Sequence, residues 1–374
     1  MKQDPFKEYL IQTEPNKRDK GYVWHTAIGL QAVDGLKPSK YLVDTAIQNI
    51  EGEISFEEAQ QLLDTYYKEN PKVDEWERTE EADKVSLRIA KLLSEKAFSF
   101  TPMEYIAIHK KLFNGIYEHA GKIRDYNITK KEWVLDGDTI LYGSASELRA
   151  TLDYDFLQER SFNYKGLSMD EIIHHLARFV SGLWQIHIFS EGNTRTTAVF
   201  FIKYIRTLGF QATNDIFAEN AWYFRNALVR ANYNNLVKKT YETTEFLELF
   251  LRNLLCDEQH ELYNRAMHVS DIYKDYKKIN LESKNANIEA EKTSIDILQI
   301  YGEQTKGFTL KRVEYIQLMF DEFGIEDVFG RTDVQRIIPL GNTRASALLK
   351  KLLEVKVIES VSGQGKGKYR FCRL

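Results

Sequence analysis

The sequence predicts a mainly α-helical protein, with one β-hairpin inserted in a helical core and a winged helix-turn-helix at the C-terminal end. Three observations predict it. Only six prolines and 20 glycines occur in 374 residues, so helices run with few breaks. Apolar residues recur at helical spacing through most of the chain. Strand-like alternation is confined to EWVLDGDTILYG at 132–143 and VKVIESVSGQGKGKYRFCRL at 355–374.

Taken in order, residues 24–67 read as three short helices separated by DGLKPS and GEIS. Ser55 with Glu58 three residues later forms a capping box ahead of FEEAQQLLDTYY. Residues 80–255 carry the longest helical patterns, TPMEYIAIHKKLFNGIYEHAG and SMDEIIHHLARFVSGLWQIH among them, the second opened by Ser168 and Glu171. Between these two, Asp136-Gly137 is a hairpin signal flanked by apolar stretches. Residues 257 to about 300 are charged and weakly apolar, a part-helical connector. VEYIQLMFDEF, RTDVQRII and NTRASALLKKLLEVKVI then give three helices before a Gly/Lys hairpin. The boundaries expected are 1–79, 80–256, 257–304 and 305–374.

Composition narrows the function. With 51 basic and 55 acidic residues, global charge argues for neither nucleic acid nor membrane. Cys256 and Cys372 are too few and too far apart for a disulfide framework or a metal site. MKQDPFKEYL lacks a signal peptide's apolar stretch, and no apolar run reaches membrane-spanning length. The expectation is a cytoplasmic protein with no membrane partner. Residues 331–374 stand apart, with ten Lys/Arg and three Asp/Glu. That order and charge point to DNA or RNA contact, or alternatively to a face for protein contacts or homodimerisation.

The densest chemistry lies in HIFSEGNTRTT at 187–197. If one helix ends near His187 and another begins near Thr194, the second aims free N–H groups and its positive dipole end into the loop, an anion site suited to phosphate. Gly192 lets the backbone approach, Asn193 adds a donor, and Arg195 can fork to phosphate oxygens. Glu191 beside a phosphate calls for a cation, and Mg²⁺ is the usual one. His187 has a pKa suited to taking a proton from a hydroxyl. Together these describe transfer from a nucleotide phosphate to an alcohol.

HIFSEGNTR resembles the signature of the Fic family, HxFx(D/E)GN(G/K)RxxR. EHAGKIRDYNITKKEWVLDGDTILYG is similar to the family's approach to its flap hairpin, and NAWYFRNALVRANY to its later nucleotide-side helix; the resemblance spans roughly 80–255. It implies a helical core and AMP transfer from ATP, with Mg²⁺, to a Tyr, Thr or Ser hydroxyl of a protein substrate, itself included. By position, it makes His187 the general base, Phe189 the loop's anchor and Glu191 the Mg²⁺ holder. Gly192 and Asn193, with Thr194 beside them, become the phosphate cradle, and Arg195 the grip on the β/γ-phosphates. Trp133, Val134, Leu135, Ile140, Leu141 and Tyr142 would form the flap that pairs with the target backbone. Tyr223, Asn226 and Asn232 would line the adenine side.

The chain departs from the pattern at three places. Ala198 stands where the second arginine belongs, Thr194 where Gly is commonest, and Ile188 where Pro is common. A weaker hold on the γ-phosphate implies slow turnover, another nucleotide donor or a different cation. Residues 24–67 look like the small helical antitoxin that inhibits many Fic enzymes. Its motif, (S/T)xxxE(G/N), aligns best with LQAVDG at 30–35, making Asp34 the candidate inhibitory residue. With Asp34 for Glu and Ala198 for Arg, the usual inhibitory ion pair cannot form; the segment is then either a packed lid or an inhibitor whose Asp34 reaches Arg195 or the metal. His174, His175 and His187 lack zinc-ligand spacing and suggest a polar helix face instead. His109 and His119 read as surface or interface residues. The alternative function is a nucleotide-sensing winged-helix regulator with an inactive or altered Fic core.

Overall fold

The computed structural model describes residues 6–10, 14–70, 78–210, 216–270, 301, 304, 308, 310–324, 328–338, 340–361 and 367–372. It divides into two compact units, Met1–Leu281 and Glu282–Leu374.

In the first unit, α1 is Lys7–Leu10 and α2 is Pro15–Gly29, running into a 3₁₀ turn at Leu30–Asp34. This first long helix starts earlier than expected, because Pro15 sits at its favoured N-terminal position and no breaker follows before Gly29. α3 (Lys40–Glu51) is capped by Ser39, whose hydroxyl accepts the Leu42 N–H at 3.0 Å. α4 (Phe56–Glu69) opens on the Ser55/Glu58 capping box. α5 (Thr79–Ser94) packs against α2 and α4, and its buried Asp83 accepts the Ser39 N–H at 2.7 Å and the Tyr67 hydroxyl at 2.5 Å. That one carboxylate binds three segments together. α6 (Pro102–Phe113), α7 (Leu148–Ser161), α8 (Met169–Ile186) and α9 (Asn193–Thr207) follow, then α10 (Ile216–Glu219), α11 (Ala221–Arg230) and α12 (Glu245–Cys256). α8 carries the expected Ser168/Glu171 capping box.

One hydrophobic core joins the N-terminal helices to the rest of this unit. Trp24, Leu30 and Val33 belong to the same cluster as Phe113, Trp184, Phe189, Phe200 and Phe250. Residues 257–270, expected in the connector, fold onto this unit: a 3₁₀ turn at Asn264–Met267 leads to Val269, whose N–H bonds the Val134 carbonyl at 2.9 Å. The connector from 271 to 300 lies outside the described residues.

The expected hairpin turns back where Asp136-Gly137 places it, both residues at positive φ (58° and 80°). Its arms differ from two paired strands. Trp133–Leu135 is a 3₁₀ turn, and the closure is the Glu132 N–H to Asp138 carbonyl bond at 2.9 Å. Val134 and Leu135 are wholly buried, so their burial sets the first arm's path in place of a ladder.

The second unit contains α13 (Leu310–Phe323), β1 (Phe329–Gly330), α14 (Arg331–Ile337), α15 (Asn342–Glu354), β2 (Ile358–Ser360) and β3 (Lys368–Phe371). Its antiparallel sheet has the order β1-β3-β2, with Phe329 opposite Tyr369 and Ile358 opposite Phe371. Helix, strand, two helices and a two-stranded wing is a winged-helix-like arrangement. Phe329, Val334, Leu349, Leu352 and Phe371 are buried between helices and sheet. The wing's connecting residues 362–366 lie outside the described residues.

Candidate active site

The motif loop spans the end of α8 and the start of α9. α8 stops because His187 takes the left-handed conformation (φ 51°) and caps it, its N–H bonding the Trp184 carbonyl. Phe189 points into the core and stacks on His109 at 3.7 Å between ring centres. Asn193 then closes the loop on itself: its side-chain oxygen accepts the Phe189 N–H at 3.0 Å, and its amide donates to the Phe189 carbonyl at 2.7 Å. Gly192 (φ 75°) precedes α9 in a conformation that a side chain strains. A Cβ there would also lie 2.4 Å from the Phe113 ring.

His187 is 4% exposed. Its Nδ1 lies 3.3 Å from the Trp184 carbonyl, which can only accept, so Nδ1 carries the proton and Nε2 keeps its lone pair. Nε2 is buried without a hydrogen-bond partner among the described residues. Burial, then the positive charge of Lys130, hold the imidazole well below its ordinary pKa, so it is neutral at pH 7. The Tyr142 ring packs on it at 4.6 Å. A buried, neutral imidazole with a free lone pair is equipped to accept a proton.

Glu191 faces solvent, its side chain 51% exposed, with the Lys130 ammonium 3.3 Å from it. The N–H groups of Asn193, Thr194 and Arg195 stand in α9's first turn, where no intrahelical carbonyl is available. Thr194's hydroxyl is engaged elsewhere, accepting from the Trp184 indole N–H at 3.0 Å. Of the expected phosphate cradle, the backbone of the helix start remains on offer, while the Asn193 and Thr194 side chains hold the loop in shape.

Arg195 is fully buried and ringed by polar partners. It donates to Gln31 at 3.0 Å, to Glu81 at 2.7 Å and to the Tyr117 hydroxyl at 3.2 Å. Its Nε lies 2.8 Å from the Asp34 carboxylate, a charge contact without hydrogen-bond alignment. The guanidinium also sits over the Phe113 ring at 4.8 Å. Burial would raise Asp34's pKa, but the Arg195 charge, aided by Arg225, Arg78 and Lys130, outweighs it and leaves Asp34 below its usual value. Glu81 is lowered against the same burial by Arg195 and by Arg78, which grips it with two bonds of 2.6 Å. Ala198 is wholly buried. The usual pair at the second-arginine position is absent, and of the two alternatives Asp34 takes the one toward the first arginine, one helical turn before the alanine.

The other anticipated residues take varied places. Trp133 is half-buried, Ile140 and Tyr142 are buried, and Leu141 alone of the flap residues stands far out, 85% exposed. Tyr142's hydroxyl donates to the buried Glu132 at 3.0 Å, and Arg225 pairs with that carboxylate at 2.6 Å. Tyr223 is buried with its hydroxyl on the Phe246 carbonyl at 3.2 Å. Asn226 donates to Asn264 at 2.8 Å, and Asn232 to the carbonyls of Ser181 and Leu228. His174 and His175 pair with Glu248 and Glu159 at 2.7 and 2.6 Å.

His109 corrects the surface reading. It is fully buried, its Nδ1 accepts the Gly121 N–H at 2.8 Å, and its Nε2–H donates to the Glu191 carbonyl at 3.0 Å. Sequence reasoning also missed Arg124, which donates to the carbonyls of His187 (2.8 Å), Tyr126 (2.5 Å) and Gly143 (2.6 Å) and clamps the loop to the flap's far end. Its place in GKIRDYN, inside the family-like stretch, was the available signal. Glu81 had none, being one acid among several at a helix start.

Comparison with known proteins finds a family match in this region. Residues 99–205 match the profile of the Fic/DOC family. Over 169 residues, 45% of this chain, the sequence is 26% identical to the protein adenylyltransferase VbhT of Bartonella schoenbuchensis. The match spans about a third (34%) of that relative's length. A crystal structure of a Fic family protein from Desulfovibrio desulfuricans G20 is 12% identical, covers 98% of this chain and 90% of that one, and superposes with a TM-score of 0.43. By the family profile, residues 99–205, which include the loop from His187 to Arg195 near their end, are a Fic/DOC family domain.

Proposed function

We propose that the chain is a protein adenylyltransferase that moves AMP from ATP to the hydroxyl of a Tyr, Thr or Ser side chain on a protein. The observation that carries this reading is His187: buried, neutral, with Nδ1 committed to a carbonyl and Nε2 free, at the mouth of a helix start that offers backbone donors. A base is what an incoming alcohol needs, and a nucleotide sensor has no use for one.

In this reading the target hydroxyl gives its proton to His187 Nε2 as its oxygen attacks the α-phosphorus. The bond to the oxygen bridging the α- and β-phosphates breaks, and pyrophosphate leaves. The first-turn N–H groups of α9 stabilise charge on the α-phosphate. Glu191 fits a divalent cation, being an exposed carboxylate beside the phosphate site, and Mg²⁺ commonly binds through one carboxylate and substrate phosphates. When bound, the cation supplies charge neutralisation to the leaving pyrophosphate. Arg195 is withheld in this conformation and reaches phosphate only when Asp34 gives way.

The test separates adenylyl from phosphoryl transfer. The full-length wild type and its Asp34→Gly variant are incubated with Mg²⁺, cell lysate and ATP labelled on the α- or the γ-phosphate. Label is expected from the α-position alone, dependent on Mg²⁺ and lost in Glu191→Ala. Label from the γ-position, or none from either protein, would overturn the proposal.

A further inference from the structure

The proposed chemistry uses no residue of the winged-helix unit, which presents one face with an unbalanced charge. We propose that this unit binds duplex DNA, laying α15 in the major groove.

α15 buries Ala345, Leu348, Leu349 and Leu352 against the sheet and α14. The opposite face is exposed: Asn342, Ser346 and Lys350 follow one another at four-residue spacing, flanked by Thr343, Arg344 and Ala347. Leu353, 38% exposed, is the one large apolar side chain on this face and stands at its C-terminal end; the rest is polar, charged or small, which disfavours an extensive buried protein interface there. The residue types are those that read base edges. Asn pairs with adenine and Arg with guanine, Ser and Thr bond to either, and Ala packs on the thymine methyl. A helix of 13 residues is about 20 Å long, and its width matches a groove of about 12 Å.

The charge balance gives the face its partner. Of the ten Lys/Arg and three Asp/Glu in 331–374, the acids are already matched. Asp333 pairs with Lys368 at 3.2 Å, Glu354 with Lys351 at 3.3 Å and Glu359 with Arg370 at 2.7 Å. Arg336 reaches Glu322 at 3.4 Å. Arg331, Arg344, Lys350 and Lys356 have no acidic partner among the described residues. Arg331 lies at the same face, its guanidinium 3.4 Å from the Ser346 hydroxyl. The chain as a whole carries a net charge of −4, so this concentration of unmatched cations is local. A polyanion with readable edges complements it.

The experiment uses the full-length chain, a 30-base-pair duplex of mixed sequence and fluorescence anisotropy at about 50 mM salt, a regime where phosphate contacts are strong. Binding is expected, weakening steeply as salt rises. The double variant Arg344→Glu/Lys350→Glu should bind at least tenfold more weakly, whereas Lys68→Glu/Lys96→Glu, at two exposed lysines of the other unit, should bind as wild type. Selection from a random duplex library should enrich a motif with wild type and not with Asn342→Ala/Ser346→Ala. Absence of duplex binding, or equal loss in the two charge-reversal variants, would overturn the proposal. So would a change of oligomeric state in Arg344→Glu/Lys350→Glu without any duplex binding, which would assign the face to a second copy of the chain. Circular dichroism and thermal melting establish that each variant is folded.

Discussion

The two ends of the motif loop are equally buried and chemically opposite. At His187, the reactive nitrogen has no hydrogen-bond partner among the described residues, and the ring is neutral. At Arg195, Gln31, Glu81, Tyr117 and Asp34 all crowd one guanidinium. In the proposed reading, the base is ready and the phosphate grip is occupied. On that reading, the proton chemistry is assembled while the nucleotide side is held shut. The two acids on Arg195 also come from different places: Glu81 from α5, Asp34 from the 3₁₀ turn that ends α2.

The sharpest way to break the comparison is at the ready end. His187→Ala should lower AMP transfer by about 10²–10⁴-fold, as expected for general-base catalysis, with nucleotide affinity nearly unchanged. A loss below tenfold in the labelling assay would show that His187 is not the base.

Next comes the hinge between the two ends. Gly192→Ala places a side chain at φ 75° and 2.4 Å from the Phe113 ring. It should cost at least about 2 kcal/mol, adding backbone strain to overpacking. Urea denaturation checks this, and a loss under 0.5 kcal/mol on the order of a neutral surface change would mean that the loop moves aside freely.

At the occupied end, Asp34→Gly should raise auto-AMPylation about tenfold, roughly 1.4 kcal/mol on the rate scale. Glu81 stays on Arg195 in that variant, which limits the gain. An unchanged rate, with Tm intact, would make the N-terminal segment a structural lid alone.

A further effect concerns pH. His109 is pushed down to about 3, by burial first and then by neighbouring positive charge, against the Glu191 carbonyl that favours the protonated ring. In the unfolded chain it titrates near 6.5. Between pH 6.5 and 3 the unfolded state binds the extra proton, so stability is lost as pH falls, by up to about 1.4 kcal/mol per pH unit for this residue. His109→Gln, compared with wild type by denaturation at pH 7 and pH 5, should flatten that arm. His187 has the same sign, so the acid limb of the pH–rate profile should fall below pH 6.5. A limb at or above 6.5 would contradict its buried, neutral state.

What was legible in advance is what local rules govern. The capping boxes at Ser55 and Ser168, the turn at Asp136-Gly137 and the helix–loop–helix around Gly192 depend on neighbours within a few residues. The winged-helix order was legible for the same reason, since its period changes from helical to alternating near Val355. The flap's first arm was misread because alternation near a DG turn cannot reveal that Val134 and Leu135 are wanted by the core. His109 was misread because a lone histidine on an amphipathic helix carries no mark of burial.

The sequence by itself determined the motif loop: the kinds of side chain, their order, and the helix start that the proposed reading uses to hold phosphate. These follow from chain connectivity and short-range hydrogen bonding. Only the tertiary structure decided how Arg195 is used. Its partners come from positions 31, 34, 81 and 117, separated along the chain by segments whose lengths carry no pairing information. A buried guanidinium must find acceptors wherever packing delivers them, because leaving it unpaired would cost several kcal/mol. The motif could name the arginine, but the fold chose the acids that hold it.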